Sequence, residues 1–144
     1  MSASILKSLA NYRVSSVLNR DVKQFGKKFL LDGDDETCWN SDQGSPQWVL
    51  LEFSKQVVIE ELHIQFQGGF AGKECHVQVA SIESDEFTEL TKIFPEDSNK
   101  LQVFTLTPAP PVSKLRIVFT SSTDFYGRIT IYKLDVIGRT GSHD

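Results

Sequence analysis

A two-residue alternation of apolar and polar side chains, set in short segments broken by glycine, proline and polar turns, limits what this chain can become. Within 57–67, Leu62, Ile64 and Phe66 share one face, while Glu61, His63, Gln65 and Gln67 share the other. Within 74–82, Cys75, Val77 and Val79 oppose His76 and Gln78. The run 47–53 is more continuously apolar and ends at the polar pair Ser54-Lys55; segments 101–106, 115–119 and 128–137 complete the set. Gly68-Gly69, Pro95-Glu96-Asp97, Pro108-Ala109-Pro110-Pro111 and Ser121-Ser122 separate them, and such residues favour turns. Roughly seven or eight short strands with this spacing, and no convincing long helix, predict an all-β antiparallel sandwich or jelly roll.

The N-terminal part is less regular. A strand is expected over 13–19, a single helical turn over 25–31, and a tight polar loop over 32–37, where Gly33 reaches positive φ without a Cβ clash. Residues 1–11 show no periodicity and are expected to form a flexible arm. The domain then occupies 12–138, with a flexible tail over 139–144. A chain of 144 residues suits one domain. Chains of this size bury roughly 68–70% of their unfolded surface, so no disulfide or metal staple is required.

Charge and motifs narrow the function. With 15 Lys+Arg against 19 Asp+Glu, the net charge of −4 disfavours general nucleic-acid binding, which draws its affinity from bases neutralising phosphates. The charges are segregated. Lys7, Arg13, Arg20, Lys23, Lys27 and Lys28 are accompanied only by Asp21; Asp32, Asp34, Asp35, Glu36 and Asp42 follow with no base among them. Over 83–97, six acids face only Lys92. These are solvated loops, or acidic patches that meet a basic partner.

Cys38 and Cys75 are expected to stay reduced in a reducing compartment. No secretory signal is expected at the start, no apolar run approaches the roughly 20 residues of a membrane span, and there is no Asn-x-Ser/Thr sequon. The residues themselves leave the cytoplasm and the nucleus both open as the expected location. His63 and His76 fall on polar strand faces, and His143 lies near the end; none has zinc-ligand spacing. There is no nucleophile elbow or phosphate loop, and the acids around Cys38 discourage a thiolate. A non-enzymatic binding module is the expectation.

Specific runs then point to a family. Residues 31–41, Leu31-Asp32-Gly33-Asp34-Asp35-Glu36-Thr37-Cys38-Trp39-Asn40-Ser41, and the following Gln47-Trp48-Val49-Leu50-Leu51-Glu52-Phe53 resemble the opening of discoidin domains. These are also called coagulation factor V/VIII C-type or galactose-binding-like domains. Their signature is an Asp-Gly loop, a Thr-x-Trp, and a Gln-Trp before an apolar strand. Residues 131–138 resemble the family's last strand. The resemblance implies an eight-stranded antiparallel jelly-roll sandwich.

It also implies a calcium site. Asp32, Asp35 and Thr37 would be loop ligands, completed by Asp135 where the family usually has Glu; Ca²⁺ takes about six to eight oxygens. The alternative is that Asp32 and Thr37 cap the turn through local backbone N–H groups. Longer runs, at 13–20, 24–28, 36–44, 65–70 and 124–128, resemble a nuclear branch of the same family. That resemblance implies a nuclear protein that binds an orphan nuclear receptor and represses its transactivation by hindering binding to DNA response elements.

The partner-facing candidates are Asp34, Glu36, Asn40 and Asp42, together with Phe70, Phe125, Tyr126 and Arg128 in glycine-flanked loops. Each loop aromatic either plugs the fold or stands out as an anchor. Trp39 and Trp48 are expected in the core. Two other readings of the class stay open: a carbohydrate-binding module, and a structural subunit of an intracellular assembly such as ciliary transport.

Overall fold

The computed structural model describes residues 2–81, 83–84, 86–106 and 108–140. Nine strands run through the described residues: β1 (Ala3–Ser4), β2 (Leu9–Val14), β3 (Trp39–Asn40), β4 (Gln47–Phe66), β5 (Cys75–Ala80), β6 (Thr88–Ile93), β7 (Leu101–Thr105), β8 (Val112–Phe119) and β9 (Thr130–Thr140). One helical turn, α1 (Val22–Phe25), lies between β2 and β3.

The long β4 belongs to both layers. Its first part pairs antiparallel with β2 and β8, and β8 continues through β5 to β6. Its second part lies between β7 and β9, and β9 carries β1 and β3 on its outer side. Gln47 pairs with Phe119 and Phe66 pairs with Ile131. Both ends of β4 therefore flank the one connection between β8 and β9. A straight strand of 20 residues would be about 66 Å long, so β4 must fold back. It does so over 53–56, where pairing with β8 jumps from Glu52↔Lys114 to Val57↔Val112. Ser54-Lys55, expected to end a strand, sits instead in this exposed bend between layers.

The alternation delivers the core. Leu62, Ile64, Phe66, Cys75, Val77, Leu115 and Ile117 are fully buried. Phe66 meets Phe119 of the opposite layer edge to face, with centroids 6.0 Å apart. On β9, Gly138 lets the backbone approach β4: a Cβ there would lie 2.0 Å from the Val58 carbonyl oxygen. Trp39 is buried as expected, whereas Trp48 is only half-buried, because the buried Gln47 and Val49 hold the inward-facing positions on either side of it.

Several local expectations are corrected. The strand expected over 13–19 is β2, Leu9–Val14, because Ser15 and Ser16 turn to hydrogen-bond Gln47 Oε1 at 2.5 and 2.7 Å. The helical turn expected over 25–31 is a 3₁₀ turn at Lys27–Phe29. A further turn, α1, precedes it, and Asp21 caps α1 by accepting from the Gln24 N–H at 3.1 Å. The arm expected over 1–11 is packed chain over its described residues. Ala3 and Ser4 pair with β9, whose outer edge is otherwise open there, and Ile5 is buried. Of the expected tail, Arg139 and Thr140 extend β9, while 141–144, including His143, lie outside the described residues. The edge strand β6 carries no strong pattern because only Ile93 is buried in it.

Two predictions follow from this packing. Phe119→Ala should cost about 3–5 kcal/mol in urea denaturation, from lost burial and the cavity left between the layers. His76 on β5 faces Glu89 of β6 and also Glu74, with Lys92 nearby. The Glu89 hydrogen bond raises its pKa above the usual histidine value. A raised folded-state pKa adds stability that is present below the unfolded value of about 6.5 and is lost as pH rises through the folded one. Amide exchange in β5 and β6, corrected for intrinsic rates, should therefore show weaker protection above that range, and His76→Gln should abolish the change.

Candidate functional site

Because both ends of β4 and the β8–β9 connection meet, the loops 41–46, 67–74 and 120–129 emerge together. Their packing is specific. The Gly44 N–H donates to the Tyr126 carbonyl at 2.8 Å, and Thr123 N–H donates to the Ala71 carbonyl at 2.8 Å. Gly127 adopts φ 86°, and a Cβ there would lie 2.8 Å from Gly44 backbone atoms. Only glycine satisfies both the turn and that approach. A cleft of about 370 Å³ opens beside them, lined in part by Ser45, Ser121, Phe125 and Tyr126.

One ion pair stiffens this end. Asp124 receives the Arg128 guanidinium in bidentate fashion, at 2.9 and 3.0 Å, and also accepts the Tyr126 and Arg128 backbone N–H groups. Arg128 thereby holds the Asp124 carboxyl below the usual carboxylate range. The Ser122 hydroxyl ties the other side of the loop, donating to the Arg128 carbonyl and accepting from Asp124 N–H. The loop so braced presents Phe125 at 92% exposure and Tyr126 at 55%, with ring centroids 5.2 Å apart. Arg128 lies 5.1 Å over the Phe70 ring and 5.6 Å over the Tyr126 ring. Phe70 is half-buried, so it backs the cluster instead of plugging the core or standing free. Rigid exposed aromatics flanking an arginine are the composition of binding anchors.

Phe70, Phe125, Tyr126 and Arg128 are thus brought together. Asn40 and Asp42 lie beside them but are occupied structurally. Asn40 accepts from the Thr130 hydroxyl and donates to Cys38 Sγ; the Asp42 backbone bonds Ser16 and Gln47. Gln47 is the residue that sequence reasoning missed. Buried at the start of β4, its carboxamide accepts from Ser15 and Ser16 and donates to Asp42 and Gly44 carbonyls, tying β2 to the 41–46 loop. The Gln-Trp signature was its only trace in the sequence.

Asp34 and Glu36 are exposed on a separate loop against the middle of β9. There the expected calcium ligands serve other partners. Asp32 accepts from Asp34 N–H at 3.0 Å and from the Thr37 hydroxyl at 2.6 Å. Asp35 pairs with the Lys133 ammonium at 2.6 Å, and Asp135 accepts from the Ser4 hydroxyl at 2.6 Å. Among the described residues, no three His, Cys, Asp or Glu side chains converge as metal ligands. This donor set, with an ammonium already on Asp35, does not fit Ca²⁺. Calorimetric titration with millimolar Ca²⁺ should give no heat of binding; one-to-one binding would show that the loop rearranges around a cation.

Neither cysteine is placed for nucleophilic chemistry. Burial pushes the Cys75 thiol up to about 12, and burial also raises Cys38. No helix among the described residues is long and apolar enough to cross a membrane.

Two antiparallel layers that share β4 agree with the discoidin fold that the sequence resembles. Comparison agrees: the F5/8 type C domain matches residues 12–132, and the chain belongs to that family. Over 138 residues it is 54% identical to a Nuclear receptor 2C2-associated protein of Danio rerio, covering 96% of this chain and 97% of that one. The Homo sapiens protein of the same name is 49% identical over 126 residues, covering 88% and 89%. Among solved structures, an F5/8 type C domain from Bacteroides fragilis superposes with a TM-score of 0.79 at 14% identity, covering 90% of this chain and 91% of that one. The family 32 carbohydrate-binding module of Clostridium perfringens NanJ, solved with galactose, gives 0.78 at 14% identity, covering 95% and 99%. At that identity these structures show the shared fold.

Proposed function

We propose that this chain is a non-catalytic nuclear interaction module that binds an orphan nuclear receptor through its loop end and represses the receptor by hindering its access to DNA response elements. Association with a nuclear receptor is supported by relatives named for receptor 2C2 that match nearly the whole chain. The observation that carries the choice of surface is the pair Phe125 and Tyr126, held outward by the Asp124–Arg128 lock. Exposed aromatic surface is unfavourable in water, and a partner that buries it recovers that free energy. The acidic loop with Asp34 and Glu36 adds charge that a basic DNA-binding module would meet in place of phosphates. The galactose complex of the fold neighbour marks the alternative, a sugar stacked on the same rings.

The deciding experiment uses purified full chain and receptor. Phe125→Ala with Tyr126→Ala should weaken receptor binding at least about tenfold with little change in Tm, since both rings are exposed and outside the core. Asp34→Lys with Glu36→Lys should weaken binding most at low salt. Titrating the native chain into a receptor–response element complex should release the DNA in a gel-shift assay. Unchanged affinity in the aromatic variant would remove the loop end as the receptor site. Loop-end chemical shifts perturbed by galactose but not by receptor would favour the sugar reading. Imaging of the tagged chain in cells tests nuclear residence.

A further inference from the structure

A groove of about 520 Å³ shares no lining residue with the acidic loop or with the loop end. It lies between β2 and the turns that follow. Val14, Val17 and Val22 supply its apolar surface, and Val22 is 60% exposed. What brings Val17 and Val22 to one groove is the turn between them, where Asn19 and Arg20 take φ of 54° and 59°. Successive non-glycine residues with such angles are strained, a feature concentrated at sites that must hold a shape.

The groove is also cationic. Arg13, Lys23, Lys27 and Lys28 line it, and none makes an ion pair among the described residues. Lys27 donates to the Tyr12 carbonyl at 2.6 Å and covers the Tyr12 ring; Lys28 lies over the Phe29 ring. Asp21, the only acid between Lys7 and Lys28, caps α1. In a chain of net charge −4, this is a local positive surplus on an apolar surface.

We propose that this groove docks an acidic protein segment bearing apolar side chains, with its carboxylates on the lysines and its apolar groups on the valines. Charge complementarity selects the acid, and the valines select the protein. Phosphate backbones would meet the cations, but bases would find no aromatic face to stack on, because no aromatic residue lines the groove. A bilayer would need apolar groups that project, whereas these line a concavity. The proposal is independent of the loop-end reading and needs no particular receptor.

The probe is a fluorescein-labelled amphipathic helical peptide with leucines along one face and glutamates along the other, titrated with the full chain by anisotropy. Saturable binding is expected, weakening about tenfold from low salt to roughly 0.5 M NaCl. Replacing its leucines by serine, or its glutamates by glutamine, should each abolish it. Lys23→Glu with Lys28→Glu, and separately Val22→Asp, should lower affinity at least about tenfold with native thermal melts. Lys55→Glu, the same charge change in the exposed bend of β4, should leave binding unchanged. The proposal fails if no peptide binding is seen, if the leucine-free peptide binds equally, if Lys55→Glu matches the groove variants, or if anionic vesicles or single-stranded DNA bind the groove more tightly than the peptide.

Discussion

One strand that serves two sheets carries this architecture. β4 leaves the loop end hydrogen-bonded to β2 and β8, bends over 53–56, and returns between β7 and β9. Buried backbone groups need partners, so a strand can change sheets only where its unpaired groups reach water. Ser54, Lys55 and Gln56 meet that condition by being exposed. With the bend in place, the apolar faces of the two halves turn toward each other, and Phe66 meets Phe119 between the layers.

The same bend assembles the loop end. It brings Gln47 and Phe66 back to the connection between β8 and β9, so loops distant in sequence become neighbours. Gln47 ties β2 to the 41–46 loop, Gly127 lets that loop touch the next, and Asp124 with Arg128 sets the aromatic pair outward. A rigid scaffold that ends in braced loops is how an antiparallel sandwich presents a surface without exposing its core.

Two charged regions are resolved in opposite ways. At the acidic loop, Asp35 is answered internally by Lys133, and Asp32 by its own turn. At the groove beside β2, the lysines have no such answer among the described residues. Patterning along the chain shows both clusters equally well. Whether a cluster is neutralised depends on what the sheet register sets against it, and here Lys133 arrives from β9.

The sequence by itself determined the strands whose one face is buried. The alternation at Leu62, Ile64 and Phe66, and at Cys75, Val77 and Val79, is a local code with a fixed period, and those residues are the core. It also carried the family, through the Asp-Gly, Thr-x-Trp and Gln-Trp run. It did not show β6, where an edge strand buries only Ile93, nor the packed first residues, whose partner strand lies more than a hundred residues away. The candidate site was legible as residue types but not as a place. Phe70, Phe125, Tyr126 and Arg128 are merely glycine-flanked in the chain; their adjacency, the half-burial of Phe70 and the separation of Asp34 and Glu36 from them come from the bend in β4. Periodicity acts between near neighbours, whereas a site is made by contacts across the fold, and only the tertiary structure decided those.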